Sequence, residues 1–397
     1  MAHPGPTALE RRAASLAALA SRPAVSESPA TDSAPGRPDG AARTLPPARL
    51  AAVGKALLRL QRGLTGTREL VGAPYMRDPA LLEAYLLYYW PVSYAQAARA
   101  LALSKAGPRR RVLDLGSGPG PIAAAFSDSG AREITLVDAS PEALSLARRI
   151  LENPPEGLAP SGPPRVETLA ADLEGLAPGR LPPGPYDAIA FGHSLNELWK
   201  GRPDRVARRA AFIEALRSLI APDGLVLVVE PALLATSRDA IALRDALAAA
   251  GWSVVAPCPA PIPCPALAAG PSHTCHDAAP WTVPPTVAAL AREAGLGRDE
   301  LKAAWFALSP DRVPPAAPEG FRRVVSEPML NKAGRIRYLL CDTRGRVALS
   351  AKSGDPAAKA SGFFALERYD LVRVTGAEAR ESGEGVTAGT IIEKAEA

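Results

Sequence analysis

The sequence predicts an α/β protein built on a doubly wound parallel sheet, and three observations predict it. Between residues 108 and 255, short apolar runs alternate with helical patterns of about a dozen residues, the spacing that parallel strands need for their crossovers. The first run, "RRVLDLG", leads into three glycines at alternate positions, Gly116, Gly118 and Gly120. Carboxylates close the next two runs, Asp138 in "EITLVDAS" and Asp172 in "AADL".

At 397 residues the chain is long enough for two or three domains, and 47% apolar residues can fill a sizeable core. Residues 1–45 hold few large apolar groups and read as a disordered tail. Their Ala, Arg, Pro and Ser also suit an organelle transit peptide, but Glu10, Glu27, Asp32 and Asp39 run against that reading. Residues 46–107 read as a helical region. "ARLAAVGKALLRLQRGL" has helical spacing, "DPALLEAYLLYYW" opens with Asp78 as N-cap and Pro79 at N1, and Pro91 closes it before "SYAQAARALALS". Tyr85, Tyr88, Tyr89, Trp90 and Tyr94 read as core packing, with base stacking as the alternative. Within 108–255, "RRVLDLG", "EITLVDAS", "RVETLAADL", the start of "YDAIAFGHSLNEL" and "LVLVVEPA" are five strands, with helices between them and after the last. Residues 256–320 form a Cys/Pro-rich insertion and residues 321–375 a β-rich region, in which "RIRYLLCDTRGRVALSAKS" is a hairpin. Residues 376–397 read as a second disordered tail.

The net charge is +5. Residues 321–375 carry eleven Lys/Arg against five Asp/Glu, so the positive charge concentrates there, around Arg335, Arg337, Arg344, Arg346 and Lys352. Such a surface suits phosphates, or is a solvated face. No run of eighteen apolar residues occurs, so no membrane partner is expected. With no export signal the chain is expected in a bacterial cytoplasm, or in the mitochondrial matrix if residues 1–45 are a transit peptide.

The glycine loop is not a dinucleotide fingerprint, because Pro121 stands where the third glycine of that pattern belongs. Asp114 precedes the first glycine by two positions, and Asp-x-Gly-x-Gly-x-Gly is similar to motif I of class I S-adenosylmethionine-dependent methyltransferases. That ligand has no phosphate and carries a positive methionyl end, which an acid near the loop suits. The expected cofactor residues are Asp114, Gly116, Ser117, Gly118, Gly120, Asp138 for the ribose hydroxyls and Asp172 near the adenine. After the fourth strand stand His193 and Asn196, which position a nucleophile or fix the loop. No cysteine lies where a cysteine nucleophile would be needed.

Three of the four cysteines, Cys258, Cys264 and Cys275, fall within "VAPCPAPIPCPALAAGPSHTC", and Cys341 lies in the predicted hairpin. A reducing compartment removes disulfides. The C-x2-C knuckles of zinc ribbons are absent. Iron–sulfur sites tolerate wider spacing. A Cys3His zinc site with His273 or His276, and plain free thiols, stay open.

Residues 48–375 resemble the methyltransferase-like small-ribosomal-subunit assembly factors, known in mitochondria and with bacterial relatives. "YLLYYWPVSYAQAARAL", "VLDLGSGPG", "SLNEL", "VVEPA" with "ALRDAL", "CPAPIPCP" and the lone hairpin cysteine carry the resemblance. It implies a class I methyltransferase fold, a [4Fe–4S] cluster on Cys258, Cys264, Cys275 and Cys341, and binding to small-subunit rRNA by a chain that is a monomer when free. Loss of methyl transfer and an active methyltransferase of rRNA, ribosomal protein or a small molecule are both compatible with it.

Overall fold

A computed structural model describes residues 7–20, 45–70, 75–105, 107–259, 263–311 and 317–395. Helices α1 (Ala8–Ala20), α2 (Pro47–Gln61), α3 (Pro79–Ala84) and α4 (Trp90–Ser104) precede the first sheet. Strands β1 (Arg111–Leu115), β2 (Glu133–Asp138), β3 (Arg165–Ala170), β4 (Tyr186–Gly192) and β5 (Ile220–Glu230) alternate with α5 (Pro121–Asp128), α6 (Pro141–Glu152) and α7 (Arg205–Ala215). Then come α8 (Leu234–Ala249), β6 (Ser253–Ala256), α9 (Pro265–Ala268), β7 (Asp277–Pro280), α10 (Pro285–Glu293) and β8 (Glu300–Ser309).

The strand order is β3-β2-β1-β4-β5-β8-β6, with β7 also paired to β8. Strands β1 to β5 run parallel, and β8 inserts antiparallel between β5 and β6. This is the class I methyltransferase arrangement. The sequence reading stopped the sheet at residue 255 and left β8 inside the insertion. In the structure "ELKAAWFALS" is almost wholly buried and returns to the sheet, so the cysteine segment is a loop between β6 and β7, two strands of the sheet.

Three expectations are corrected here. Pro91 does not end the helix. Trp90 N–H reaches back five residues to Tyr85 O, a wide π turn over Tyr85–Tyr89, and Pro91, with no N–H to give, enters the first turn of α4. The tail over 1–45 is not wholly without structure: α1 packs with Leu16 and Arg12 buried, and Arg12 donates to Asp128 Oδ1 at 2.6 Å, which also accepts on Oδ2 from the Tyr94 hydroxyl at 2.7 Å. Residues 1–6 and 21–44 lie outside the described residues. The C-terminal tail is strand as well. Strands β9 (Arg322–Val324), β10 (Met329–Leu330), β11 (Arg335–Asp342), β12 (Gly345–Lys352), β13 (Leu371–Thr375), β14 (Glu378–Arg380), β15 (Gly383–Gly385) and β16 (Ile391–Lys394) form a second sheet. Helix α11 (Pro356–Ala360) follows β12. Strand β16 is too short, at four residues, for a periodicity reading, yet its backbone pairs antiparallel with β13 and Ile392 packs on the core of this sheet. Tyr338, Leu340, Leu349, Phe363 and Val372 give this sheet its own core.

Candidate functional site

The strand ends of the first sheet open into a cavity of about 760 Å³, roofed by the N-terminal helices. That volume is in the range of small-molecule and cofactor pockets. Gly116, Gly118 and Gly120 all take positive φ, so the chain turns tightly from β1 into α5. A Cβ built on Gly116 would lie 2.4 Å from Ser194 Cβ, so the glycine lets the loop after β4 lean directly on the loop after β1. Ser194 Oγ seals that contact by donating to Leu115 O at 2.8 Å. From above, Trp90 Nε1 donates to Pro119 O at 2.9 Å and ties α4 to the glycine loop.

Gly116, Gly118, Asp138, Asp172, His193 and Asn196 line this cavity. Asp138 accepts from Gly118 N and Ser140 N, both at 2.8 Å, and burial raises its pKa. Its oxygens keep acceptor capacity for a ligand's hydroxyls. Asp172 caps a short turn through Glu174 N at 3.0 Å and is exposed at the rim. Asp114, Ser117 and Gly120 lie behind the wall. Asp114 is fully buried; Oδ2 accepts from Ala123 N at 3.2 Å, Oδ1 has no partner, and burial raises its pKa to about 7. It braces the first turn of α5 instead of facing a ligand.

Asn196 has its side chain consumed by the protein. Nδ2 donates to His193 O at 2.8 Å and to Glu230 Oε2 at 2.7 Å, while Oδ1 accepts from Arg68 Nη2 at 2.7 Å. Asn196 N–H donates to Glu230 Oε1 at 3.0 Å. Asn196 is therefore a brace joining the ends of β4 and β5 to the segment after α2. His193 sits at φ +60° with its ring in the cavity wall, and burial lowers its pKa to about 4. Sequence reasoning missed Glu230, Arg68, Gln96 and Arg298. Only Glu230 left a signal, a lone acid ending the apolar run "LVLVV" at the carboxyl end of a strand.

The four cysteines come from three places: Cys258 after β6, Cys264 at the start of α9 with Cys275 before β7, and Cys341 in β11. All four are free thiols. Burial pushes Cys275 up to about 12, and Cys258, Cys341 and Cys264 all act on its charge, so the four share one neighbourhood. Burial likewise raises Cys258, and raises Cys341 to about 11. Arginines surround them: Arg244 and Arg323 beside Cys258, Arg368 beside Cys275 and Arg346 beside Cys341. Among the described residues, no three or more His, Cys, Asp or Glu side chains lie close enough to hold a single metal ion. His273 is exposed, and His276 Nδ1 is buried without a partner. Part of the run from Cys258 to Cys264, residues 260–262, lies outside the described residues.

The second sheet grips this segment. Buried Arg323 donates to Pro257 O at 3.3 Å and to Tyr369 O at 2.8 Å, and Arg368 donates to His276 O at 3.0 Å. The basic residues of the hairpin divide. Arg337 and Lys352 are exposed, and Arg335 is half-buried opposite Lys352. Arg344 folds back on Asp342 at 2.6 Å, though 59% of its side chain stays exposed. Arg346 stands opposite Cys341, its charge acts on that thiol, and it belongs to the thiol neighbourhood, not to the open basic face.

The family profile described as "Mitochondrial small ribosomal subunit Rsm22" matches residues 80–353, well over half of the chain. The chain belongs to this family. The matched Rsm22 region takes in the glycine loop, most of the cavity wall and all four cysteines. No curated protein sequence matches the chain. Among solved structures, the chain is similar to a SAM-dependent methyltransferase of Leishmania major, 16% identical, covering 65% of this chain and 83% of that one, TM-score 0.38. It is also similar to magnesium protoporphyrin IX methyltransferase of Synechocystis, with bound SAM, 15% identical, covering 65% and 96%, TM-score 0.33. The fold rests on the strand order of this chain itself.

Proposed function

We propose that this chain is an S-adenosylmethionine-binding, methyltransferase-type factor of the small ribosomal subunit, in which a [4Fe–4S] cluster on Cys258, Cys264, Cys275 and Cys341 clasps the two sheets together. The observation that carries the reading is the meeting of thiols from both sheets in one arginine-lined neighbourhood. A cluster takes four thiolates, and the four thiols share one neighbourhood. Thiolates need compensating charge, and the surrounding arginines supply it. When bound, the cluster supplies a structural crosslink to a proline-rich loop with little core of its own. The protein's part is to hold that loop: Arg323 and Arg368 fix its carbonyls from the second sheet, and Asp245 Oδ2 accepts from Cys264 N at 2.7 Å.

The fit for S-adenosylmethionine rests on the glycine loop, where a Cβ on Gly118 would meet only Met76 Cε, at 3.8 Å, and on Asp138, which keeps acceptor capacity for the ribose hydroxyls. Asp172 at the rim is the adenine-side carboxylate. The family's description names the small ribosomal subunit, and Arg337, Lys352 and Arg335 offer the exposed positive face that rRNA phosphates need. Such a partner places the protein in a bacterial cytoplasm or in the mitochondrial matrix. No helix among the described residues is long and apolar enough to cross a membrane.

A Cys3His zinc site with His276, whose Nδ1 has no partner, is the second reading, and it requires the ligands to draw closer together than they stand among the described residues. The test of the functional assignment is co-sedimentation of the full chain with immature small subunits, alongside calorimetry with S-adenosylmethionine. Tracking that weakens as salt rises supports the ribosomal role. Absence from small subunits at low salt contradicts it, and no heat with S-adenosylmethionine contradicts the cofactor.

A further inference from the structure

The same cavity, the compartment beside the glycine loop, is also walled by Tyr85, Tyr89, His193, Gln96, Arg298 and Lys302. Its hydrogen bonding fixes the state of one ring. Gln96 Nε2 donates to Lys302 O at 2.6 Å, and a backbone carbonyl can only accept. The amide of Gln96 is thereby oriented, and its Oε1 faces His193 Nε2 at 2.8 Å. Oε1 can only accept as well, so Nε2 of His193 must carry the proton. A second proton is opposed first by burial and then by the nearby Arg298 charge. Nδ1 is left as a bare acceptor, with no protein partner among the described residues. The other charges in or beside this compartment are Lys302, paired with Glu300 at 2.6 Å, Glu197 on the His193 loop, and Glu230, held by Asn196.

We propose that His193 Nδ1 is the acceptor that orients the methyl-accepting group of the substrate, that Gln96 is the positioning residue that fixes its tautomer, and that the compartment takes a planar group bearing a neutral N–H or O–H donor. This rests on the S-adenosylmethionine reading above. The planar preference comes from the tyrosine wall: Tyr85 and Tyr89 present stacked rings 5.9 Å apart. The neutral preference comes from the mixed charge of the wall, where Arg298 opposes a cation and Glu197 opposes an anion. The loop carrying His193 touches the glycine loop at Ser194 and Gly116, so the acceptor stands beside the cofactor site. In the transfer, the substrate atom uses its lone pair to form the new bond to the methyl carbon. The S–C bond breaks with its electron pair left on sulfur as a neutral thioether, and the proton displaced from the substrate atom is released to solvent, His193 Nδ1 having oriented its bond.

The test is nitrogen-15 NMR of the full chain with labelled histidine, the His193 signals assigned with His193→Gln. Near neutral pH, Nε2 must appear protonated and Nδ1 bare. Gln96→Leu must release the ring to a tautomer mixture, and Gln96→Glu, which keeps an acceptor, must restore Nε2–H. In the presence of S-adenosylhomocysteine, aniline must shift the Nδ1 signal, while N,N-dimethylaniline, which has no donor, and cationic benzylamine must not. His193→Ala should weaken aniline about fivefold, the size of one hydrogen bond. An Nδ1–H ring or an imidazolium in the wild type overturns the proposal without any variant having to fold. Equal response to aniline and its dimethyl form overturns the substrate class. Calorimetry of the wild type with S-adenosylmethionine is read separately, so failure of the cofactor reading shows as absent binding with the tautomer intact.

Discussion

Cys341 and Arg346 stand directly opposite each other across the hairpin of β11 and β12, where the Arg346 charge works against the burial that raises the Cys341 thiol. Arg335 and Arg337 share that face of the sheet by the two-residue period of a strand, as does Lys352 opposite Arg335. One face of one hairpin thus joins the thiol neighbourhood at its turn end to the open basic surface at the other.

The two ends should separate under mutation. Arg337→Gln and Lys352→Gln should each lower the salt dependence of small-subunit RNA binding by about one unit of slope, as loss of one phosphate contact does. Arg346→Gln should leave that slope unchanged and reduce iron content. Salt-series filter binding and iron analysis check both.

Cys275→Ser removes one thiol from the loop and leaves both sheets intact. The expected outcome is loss of iron, cleavage by a protease between residues 256 and 276, and a melting point lower by several degrees. Circular dichroism should show the strand content retained.

Asp114 gives the chain a pH dependence. Its carboxyl rises from 3.8 to about 7 on burial in the folded state. The stability attached to it is therefore full below the unfolded pKa and is lost as pH climbs through about 7. Asp114→Asn removes this loss. By the usual conversion the variant should gain on the order of 4 kcal/mol above about pH 7.5, shrinking toward lower pH. Denaturant unfolding at several pH values reads it.

Gly116→Ala combines a positive φ of 72° with a Cβ 2.4 Å from Ser194 Cβ. Strain and displacement should cost about 1–3 kcal/mol and push the loop after β4 off the glycine loop. Calorimetry should show S-adenosylmethionine binding lost or reduced at least tenfold.

Arg12→Ala leaves Asp128 buried without its cation, Arg12 being 1% exposed. Breaking such a pair from one side costs about 3–5 kcal/mol. Helix α1 should come free, seen as protease cutting before residue 20.

Much of this fold is legible in the sequence because its signals are local. Apolar runs such as "VLDL" and "LVLVV", Pro141 behind the Ser140 cap, and the Asp-x-Gly-x-Gly-x-Gly loop each specify their own conformation. What escaped depends on distant partners. Strand β8 is apolar enough to read as core of any kind, and only its pairing with β5 makes it a strand of the main sheet. Strand β16 is only four residues long and is defined by its pairing with β13. In the site, the carboxylates at strand ends were visible, but their jobs were not. Asp114 turns inward to α5, Asn196 is consumed by Glu230 and Arg68, and the Gln96 partner of His193 lies 97 residues away.

The central claim is that four thiolates hold an iron–sulfur cluster between the two sheets. Anaerobic purification of the full chain, followed by its visible spectrum and metal analysis, tests it most directly. The account predicts a brown protein with broad visible absorption and about four irons per chain, bleached by air. A colourless protein carrying one equivalent of zinc, or no metal at all, contradicts it.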